Sequence, residues 1–243
     1  METVIETNNL TKIYKPLDFW KRETSVGIMD VNLSVHKGEI FGLLGLNGAG
    51  KTTLMKTLLG LLQPTSGRIK ILGGSINDVK IRHHIGYMPE LPYFPKYLKA
   101  YEIMEYFADI FGIKNKKSKI LEILDLVGLK GSENKKIKGF SKGMQSRLGM
   151  AQALINDPDV LFLDEPMSGL DPLGYKEMRD ILLNLNKQGK TIFFNSHILS
   201  EVERICDKVA IMHKGKISDI KNVKQVIRKY KSMESYFIHY VKE

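Results

Sequence analysis

Nine consecutive residues, Gly45-Leu46-Asn47-Gly48-Ala49-Gly50-Lys51-Thr52-Thr53, have the types and spacing to hold a phosphate chain. They stand between an apolar run, Ile40-Phe41-Gly42-Leu43-Leu44, and a helix-compatible segment from Leu54 to Leu59. Glycines let successive backbone N–H groups curl around an anion where a β-carbon would block the turn. A helix N-terminus adds unpaired N–H groups and roughly half a positive charge. Lys51 can reach the β- and γ-phosphates, and the Thr52 hydroxyl is placed to ligate Mg²⁺. A chance glycine turn before a helix would not also supply the Lys-Thr pair and both flanking elements. The stretch is read as a site for a purine nucleoside triphosphate.

A second group of candidates lies at the ends of other apolar runs. Val160-Leu161-Phe162-Leu163 leads into Asp164 and Glu165. Four apolar residues in a row describe a strand buried on both faces, as in a parallel sheet, and ligands collect at the carboxyl ends of such strands. Asp164 is expected to hold Mg²⁺, directly or through water, opposite Thr52, and Glu165 to polarise the attacking water. Adjacent carboxylates usually mark a solvated turn, but this apolar run makes solvation of both difficult. His197 ends a further run, Thr191-Ile192-Phe193-Phe194-Asn195-Ser196. A histidine at a strand end is more often structural; following a core strand, this one is a candidate γ-phosphate sensor. Tyr14 precedes the loop by about thirty residues. It could stack on adenine, and taken alone it reads as a packed strand residue.

The elements that must position these groups follow from periodicity and turn chemistry. Strands are expected over 3–14, 28–36, 40–44, 68–72 and 85–88, with the phosphate-loop helix running to about Leu62 and a short helix near 77–83. An extended loop over 16–26 carries Phe19 and Trp20 beside Lys21 and Arg22, open between ordinary packing and a membrane or partner contact. From Leu91 to about Pro158 the pattern turns helical, over 97–112, 117–129 and 143–156, the last capped by Ser141. A helix to about Lys187, a strand over 191–197 and a hairpin of 209–212 with 215–217 follow, and 219–243 reads as helical with a basic first half. The fold class is α/β: a mixed sheet, with an antiparallel β subdomain beside a parallel core, and an inserted α-helical subdomain. One domain spans 1–243, with core segments 1–90 and 159–217, the insert at 91–158 and a helical tail at 218–243.

Composition narrows the class. No apolar run approaches the roughly 18–20 residues that cross a bilayer, and the acidic start, Met1-Glu2-Thr3-Val4-Ile5-Glu6, shows no secretory signal. The single cysteine, Cys206, rules out an internal disulfide framework, suits a reducing cytosol and reads as a packed residue. The net charge of +10 is concentrated at 114–119, 135–138 and 221–231. It is compatible with nucleic acid, an anionic membrane or an acidic partner. No RNA-binding aromatic pattern or zinc-finger spacing accompanies it, which leaves solvated faces and a membrane-proximal surface.

Phe140-Ser141-Lys142-Gly143-Met144-Gln145-Ser146-Arg147-Leu148 decides the family. It resembles the signature Leu-Ser-Gly-Gly-Gln of ABC transporter ATP-binding subunits and lies 23 residues before Asp164, as in that family. The resemblance covers about residues 3–217 and implies a P-loop NTPase core. It further implies that two copies pair head to tail around two Mg-ATP, each site joining the phosphate loop of one copy to Ser141 and Gly143 of the other. By position, Tyr14 would stack on adenine, and Gly45 to Thr53 would cradle the phosphates. Thr52, Asp164 and Glu90 would serve Mg²⁺, with Glu165 as catalytic base, Lys51 and His197 on the γ-phosphate and Asp171 at the dimer seam. Three positions depart from the pattern. Glu90 replaces a glutamine and adds charge; Lys142 replaces the first signature glycine; Met144 replaces the signature glutamine. Lys142 stands open between a cation near the nucleotide and a solvent-facing chain. Gly86-Tyr87-Met88-Pro89-Glu90, the signature form and the tail Ser232-Met233-Glu234-Ser235-Tyr236-Phe237 are similar to the ABC-2 exporter branch.

The implied activity is ATP hydrolysis at the cytoplasmic face of a membrane, driving a separate integral membrane permease that docks on the helical insert, with Glu90 at the hinge. No nucleic-acid partner is expected. Two other classes fit the motifs less well. A soluble ABC ATPase working on DNA or ribosomes would carry coiled-coil insertions, zinc motifs or tandem units; a regulator without turnover would not need Glu165 and His197.

Overall fold

A computed structural model of the chain describes residues 2–14 and 24–241. Most of the 16–26 loop, with Phe19, Trp20, Lys21 and Arg22, lies outside the described residues. Two compact units emerge: residues 1–82 with 193–243, and residues 83–192.

The first unit holds two sheet systems. β1 (Thr3–Tyr14) pairs antiparallel with β2 (Ser25–His36) and with β4 (Ser66–Ile71). The second system is built around β3 (Ile40–Leu44), which lies between β7 (Thr191–Ser196) and β8 (Lys208–His213). β3 and β8 are parallel, whereas β8 and β9 (Lys216–Asn222) form an antiparallel hairpin, so the arrangement is mixed. All five residues of β3 are buried, as its unbroken apolar run requires of a strand covered on both faces. Phe41 on β3 stacks on Phe193 of β7 with ring centroids 5.5 Å apart. Cys206 is packed in this core, its Sγ 2.8 Å from where a β-carbon on Gly42 would stand.

α1 (Lys51–Leu58) stops four residues before the expected Leu62, because Gly60 takes a left-handed φ of +70° and Leu61 and Leu62 fold back onto the Lys56 carbonyl. α2 (Val79–Arg82) is one exposed turn. The tail departs most from expectation. Residues 219–222 belong to β9, because Asp219 and Ile220 pair with Ile211 and Ala210 of β8. Two helices follow, α8 (Val223–Tyr230) and α9 (Met233–Val241), parted by Lys231 at φ +69°. A short helix, α7 (Leu199–Ile205), occupies a stretch for which none was expected.

In the second unit, β5 (Ile85–Met88) and β6 (Val160–Asp164) form a parallel pair, and α3 (Ala100–Ile110), α4 (Lys116–Leu126) and α5 (Lys142–Leu154) pack on one another. α3 begins later than 97 because Glu102 reaches back to accept from the Lys99 N–H at 2.8 Å, the one half of a capping box that a lysine at the cap position permits. α6 (Pro172–Lys187) starts on Asp171, whose carboxylate accepts from the Gly174 N–H at 2.8 Å, with proline at the first helical position.

Candidate nucleotide-binding site

The phosphate-loop candidates form one piece of structure in the first unit. Gly45 leaves β3 buried, Leu46, Asn47 and Gly48 form an exposed crest, and Ala49 is buried again. The loop is anchored from behind by the β8–β9 hairpin, where the Gly215 N–H donates to the Ala49 carbonyl (2.9 Å) and the Gly215 carbonyl accepts from Met29 (2.8 Å). Two glycines are forced by contact. A β-carbon on Gly45 would stand 2.6 Å from the Met212 carbonyl oxygen, and one on Gly50, at φ +106°, 2.5 Å from that of Gly27. Lys51, 8% exposed, donates to the Gly45 carbonyl at 2.7 Å and to Leu46 at 3.3 Å. No side chain caps the start of α1, and no acidic residue lies in its first turn. Uncapped N–H groups, a helix-end positive potential and a buried ammonium therefore converge on one crest, which is the electrostatics of an anion cradle.

Thr52 is exposed beside this crest, and the Thr53 hydroxyl lies 3.2 Å from the Tyr14 phenol oxygen. Tyr14 is thus fixed at the edge of the loop, 38% exposed, with the Lys12 ammonium 5.6 Å above its ring. His197 is exposed immediately beyond β7. Asn195, two residues earlier, is buried and reaches Met55 Sδ on α1 at 3.9 Å.

The carboxylates and the signature-like segment form a second piece, in the other unit. The register of β5 against β6 sets Met88 beside Leu163, so Glu90, Asp164 and Glu165 emerge at the same edge of that pair. Asp164 is 4% exposed and Glu90 is exposed. Burial, aided by the Asp164 charge, pushes the neighbouring Tyr87 phenol up to about 12, so Tyr87 stays neutral beside that carboxylate. Glu165 has φ +51°, the left-handed region that disfavours a β-carbon by roughly 1–2 kcal/mol. Its side chain is therefore aimed by a strained turn, which the Ser168 N–H closes onto the Glu165 carbonyl at 2.9 Å.

Ser141 is exposed and caps α5, accepting from the Met144 N–H at 3.2 Å. A β-carbon on Gly143 would meet nothing closer than Leu170 at 3.6 Å, an ordinary contact, so nothing inside the described chain demands glycine there. The two signature departures are taken up by the chain itself. Met144 Sδ lies 4.0 Å from the Lys135 ammonium, and the Lys142 side chain lies across Gly169. Periodicity could not have found the hairpin brace at Met212 and Gly215, the Tyr87–Asp164 neighbourhood or the Lys142–Gly169 contact, since each joins residues far apart in the chain. Among the described residues no group of three His, Cys, Asp or Glu side chains could hold a metal ion. Mg²⁺ is commonly held by only one or two carboxylates together with substrate oxygens, and Asp164 and Glu90 at one strand edge fit that donor set.

Comparison with known proteins agrees with this geometry. The ABC transporter family profile matches residues 28–168. An uncharacterized ABC transporter ATP-binding protein of Synechocystis is 50% identical over 88% of this chain and 61% of its own length. The bacitracin transport ATP-binding protein BcrA of Bacillus licheniformis is 44% identical over 95% of this chain and 74% of its own. The chain thus spans just under two thirds of the first of these relatives. Among solved structures, an ATP-binding subunit of an ABC transporter superposes with a TM-score of 0.83 at 27% identity, covering 97% of this chain and 98% of that one. A dimeric ATP-binding cassette in a post-hydrolysis state, bound to ADP and Pi, superposes at 0.81 with 25% identity, covering 90% and 98%. With the phosphate loop, the acidic strand end and the signature-like helix start all in place, this chain belongs to the ABC transporter family as an ATP-binding cassette.

Proposed function

We propose that the chain hydrolyses ATP as one of two cassettes paired head to tail, and that it drives transport, in the export direction, through a separate integral membrane permease. The observation that carries this reading is Gly143. Glycine is a poor helix former, costing about 0.5–1 kcal/mol relative to alanine inside a helix, and among the described residues no neighbour requires it here. Beside the exposed Ser141 hydroxyl it leaves an open backbone face, suited to a nucleotide held by another copy. Each site would then join Gly45–Thr53 of one copy to Ser141 and Gly143 of its partner.

Within a site, the loop amides and Lys51 bind the phosphates, and Tyr14 lies under the base. Glu165 accepts the proton of the attacking water and His197 holds the γ-phosphate in line. Thr52 and Asp164 would be the protein ligands for Mg²⁺, with Glu90 at the same strand edge as Asp164; the metal would offset charge on the phosphate oxygens. No helix of the described chain is long and apolar enough to cross a membrane, and in this reading the transport pathway belongs to the permease. The proposed working position is the cytoplasmic face of a membrane. BcrA and the lantibiotic transport ATP-binding protein SrtF of Streptococcus pyogenes, 43% identical over 77% of this chain, are named for the transport of bacitracin and of lantibiotics. Cargo choice rests with the permease.

A composite site makes a direct test available. ATPase rate measured over a protein dilution series should rise more steeply than the first power of concentration. Strict proportionality well below the pairing range would overturn the composite site.

A further inference from the structure

A cation at the first residue of a helix is electrostatically misplaced, because the positive end of the macrodipole repels it. Lys142 occupies that position on α5, directly after the Ser141 cap. Its side chain is exposed but does not point away from the protein. It lies across the turn at Gly169, where a β-carbon would come within 2.6 Å of Lys142 Cε and 2.9 Å of Cδ, and closer still to Nζ. Gly169 adopts φ +69° and leaves bare the face that the lysine covers. The whole distal end of the lysine, from Cδ to Nζ, therefore lies on the turn, with Nζ nearest to it. Two further contacts join the same segments: Ser146 Oγ donates to the Pro166 carbonyl at 3.2 Å, and Leu170 approaches the open face of Gly143. The loop from Glu165 to Asp171 and the first turns of α5 are therefore tied at three points, of which Lys142 is the outermost.

We propose that Lys142 is a positioning residue that clasps the Gly169 turn, so that the Ser141–Gly143 segment and the Glu165–Asp171 loop move as one body. This rests on the reading that Ser141 and Gly143 serve the partner's nucleotide while Glu165 serves its own. Under that reading the clasp links occupancy of one site to placement of the base in the other. It acts by the bulk of its distal side chain, which covers a turn that only glycine leaves open.

The test uses the full chain with Lys142→Gly, Lys142→Met and Lys142→Arg, reading kcat, KM and the Hill coefficient for Mg-ATP, with hydrogen exchange at 169–171. Lys142→Gly should lower kcat about tenfold, the scale expected when a reacting group is slightly misplaced. Its Hill coefficient should fall toward one and the amides at 169–171 should exchange faster, while ATP affinity at high dilution stays as in the parent. Lys142→Met and Lys142→Arg both keep that bulk and should retain most of the parent's rate and cooperativity. The clasp is overturned if Lys142→Gly exchanges and turns over like the parent. It is overturned too if Lys142→Met behaves as Lys142→Gly while Lys142→Arg is active, since the charge would then be what matters. Failure of pairing itself looks different: the parent would show a Hill coefficient of one, while exchange at 169–171 would still report the clasp.

Discussion

The phosphate loop and the start of α5 both present glycines and a lysine, yet their surroundings are opposite. Around the loop every feature is explained from within. Gly45 and Gly50 are pressed against carbonyls of Met212 and Gly27, Lys51 is buried on its own loop, and Gly215 holds Ala49 from behind. At the start of α5, Ser141 is exposed and Gly143 has room for a side chain it does not carry. The first region is shaped by its own chain. The second has a shape that its own chain does not need, and a surface of that kind points to a contact with something else.

The sharpest way to probe the contrast is at the chemistry both regions would serve. Glu165→Gln should lower kcat by on the order of 10²–10⁴, the usual worth of a general base, while ATP binding persists and a nucleotide-dependent dimer accumulates on a sizing column. Turnover at the parent's rate would remove Glu165 from its assigned role. Next in size, Lys51→Ala deletes charge-assisted hydrogen bonds worth about 1.5–3 kcal/mol each. Titration with ATP should show affinity weaker by one to two orders of magnitude, and unchanged affinity would undo the loop assignment.

The glycines test the comparison itself. Gly50→Ala forces a β-carbon to 2.5 Å from the Gly27 carbonyl at φ +106°, which should cost about 1–3 kcal/mol of stability along with nucleotide binding. Gly143→Ala should raise the melting temperature, through a gain of up to about 1 kcal/mol in helix propensity, and yet depress turnover. If both substitutions lower stability alike, the distinction between a self-shaped and a partner-shaped region collapses.

The smallest effect involves residues of neither region. A hydrogen bond from Lys190 at 2.7 Å holds the Asp157 carboxyl below its ordinary value of 3.8. A depressed carboxylate stabilises the fold above its unfolded pKa, and the contribution fades as pH falls through the lower folded value. Asp157→Asn should therefore cost less than about 1 kcal/mol at neutral pH, as exposed pairs do, with the difference from the parent shrinking in urea melts below pH 3.8.

What could be read beforehand was local. The phosphate loop, the run into Asp164 and Glu165, and the Ser141 cap are contiguous patterns, each with its own physical rule. Residues 219–222 were misassigned because Asp219-Ile220-Lys221-Asn222 is polar enough to pass for a helical tail, and only pairing with β8 makes it a strand. α7 is only seven residues long, too short to show a period. The left-handed backbone at Glu165 was hidden because such a conformation is normally announced by glycine, and here the surrounding turn imposes it on a glutamate. The resting place of Lys142 depended on a loop 27 positions later in the chain.

The sulfur at Cys206 has a practical meaning. It is the single cysteine in 243 residues. It is buried, and burial with the nearby Asp207 charge holds its thiol well above the ordinary range. Thiolates, not thiols, react with maleimides and methanethiosulfonates, so at neutral pH this chain is silent to such reagents without any engineering. A lone Glu90→Cys substitution would then carry one spin label per chain. In dilute solution any dipolar coupling between labels would have to come from two molecules, making the unmodified background itself a reporter of association.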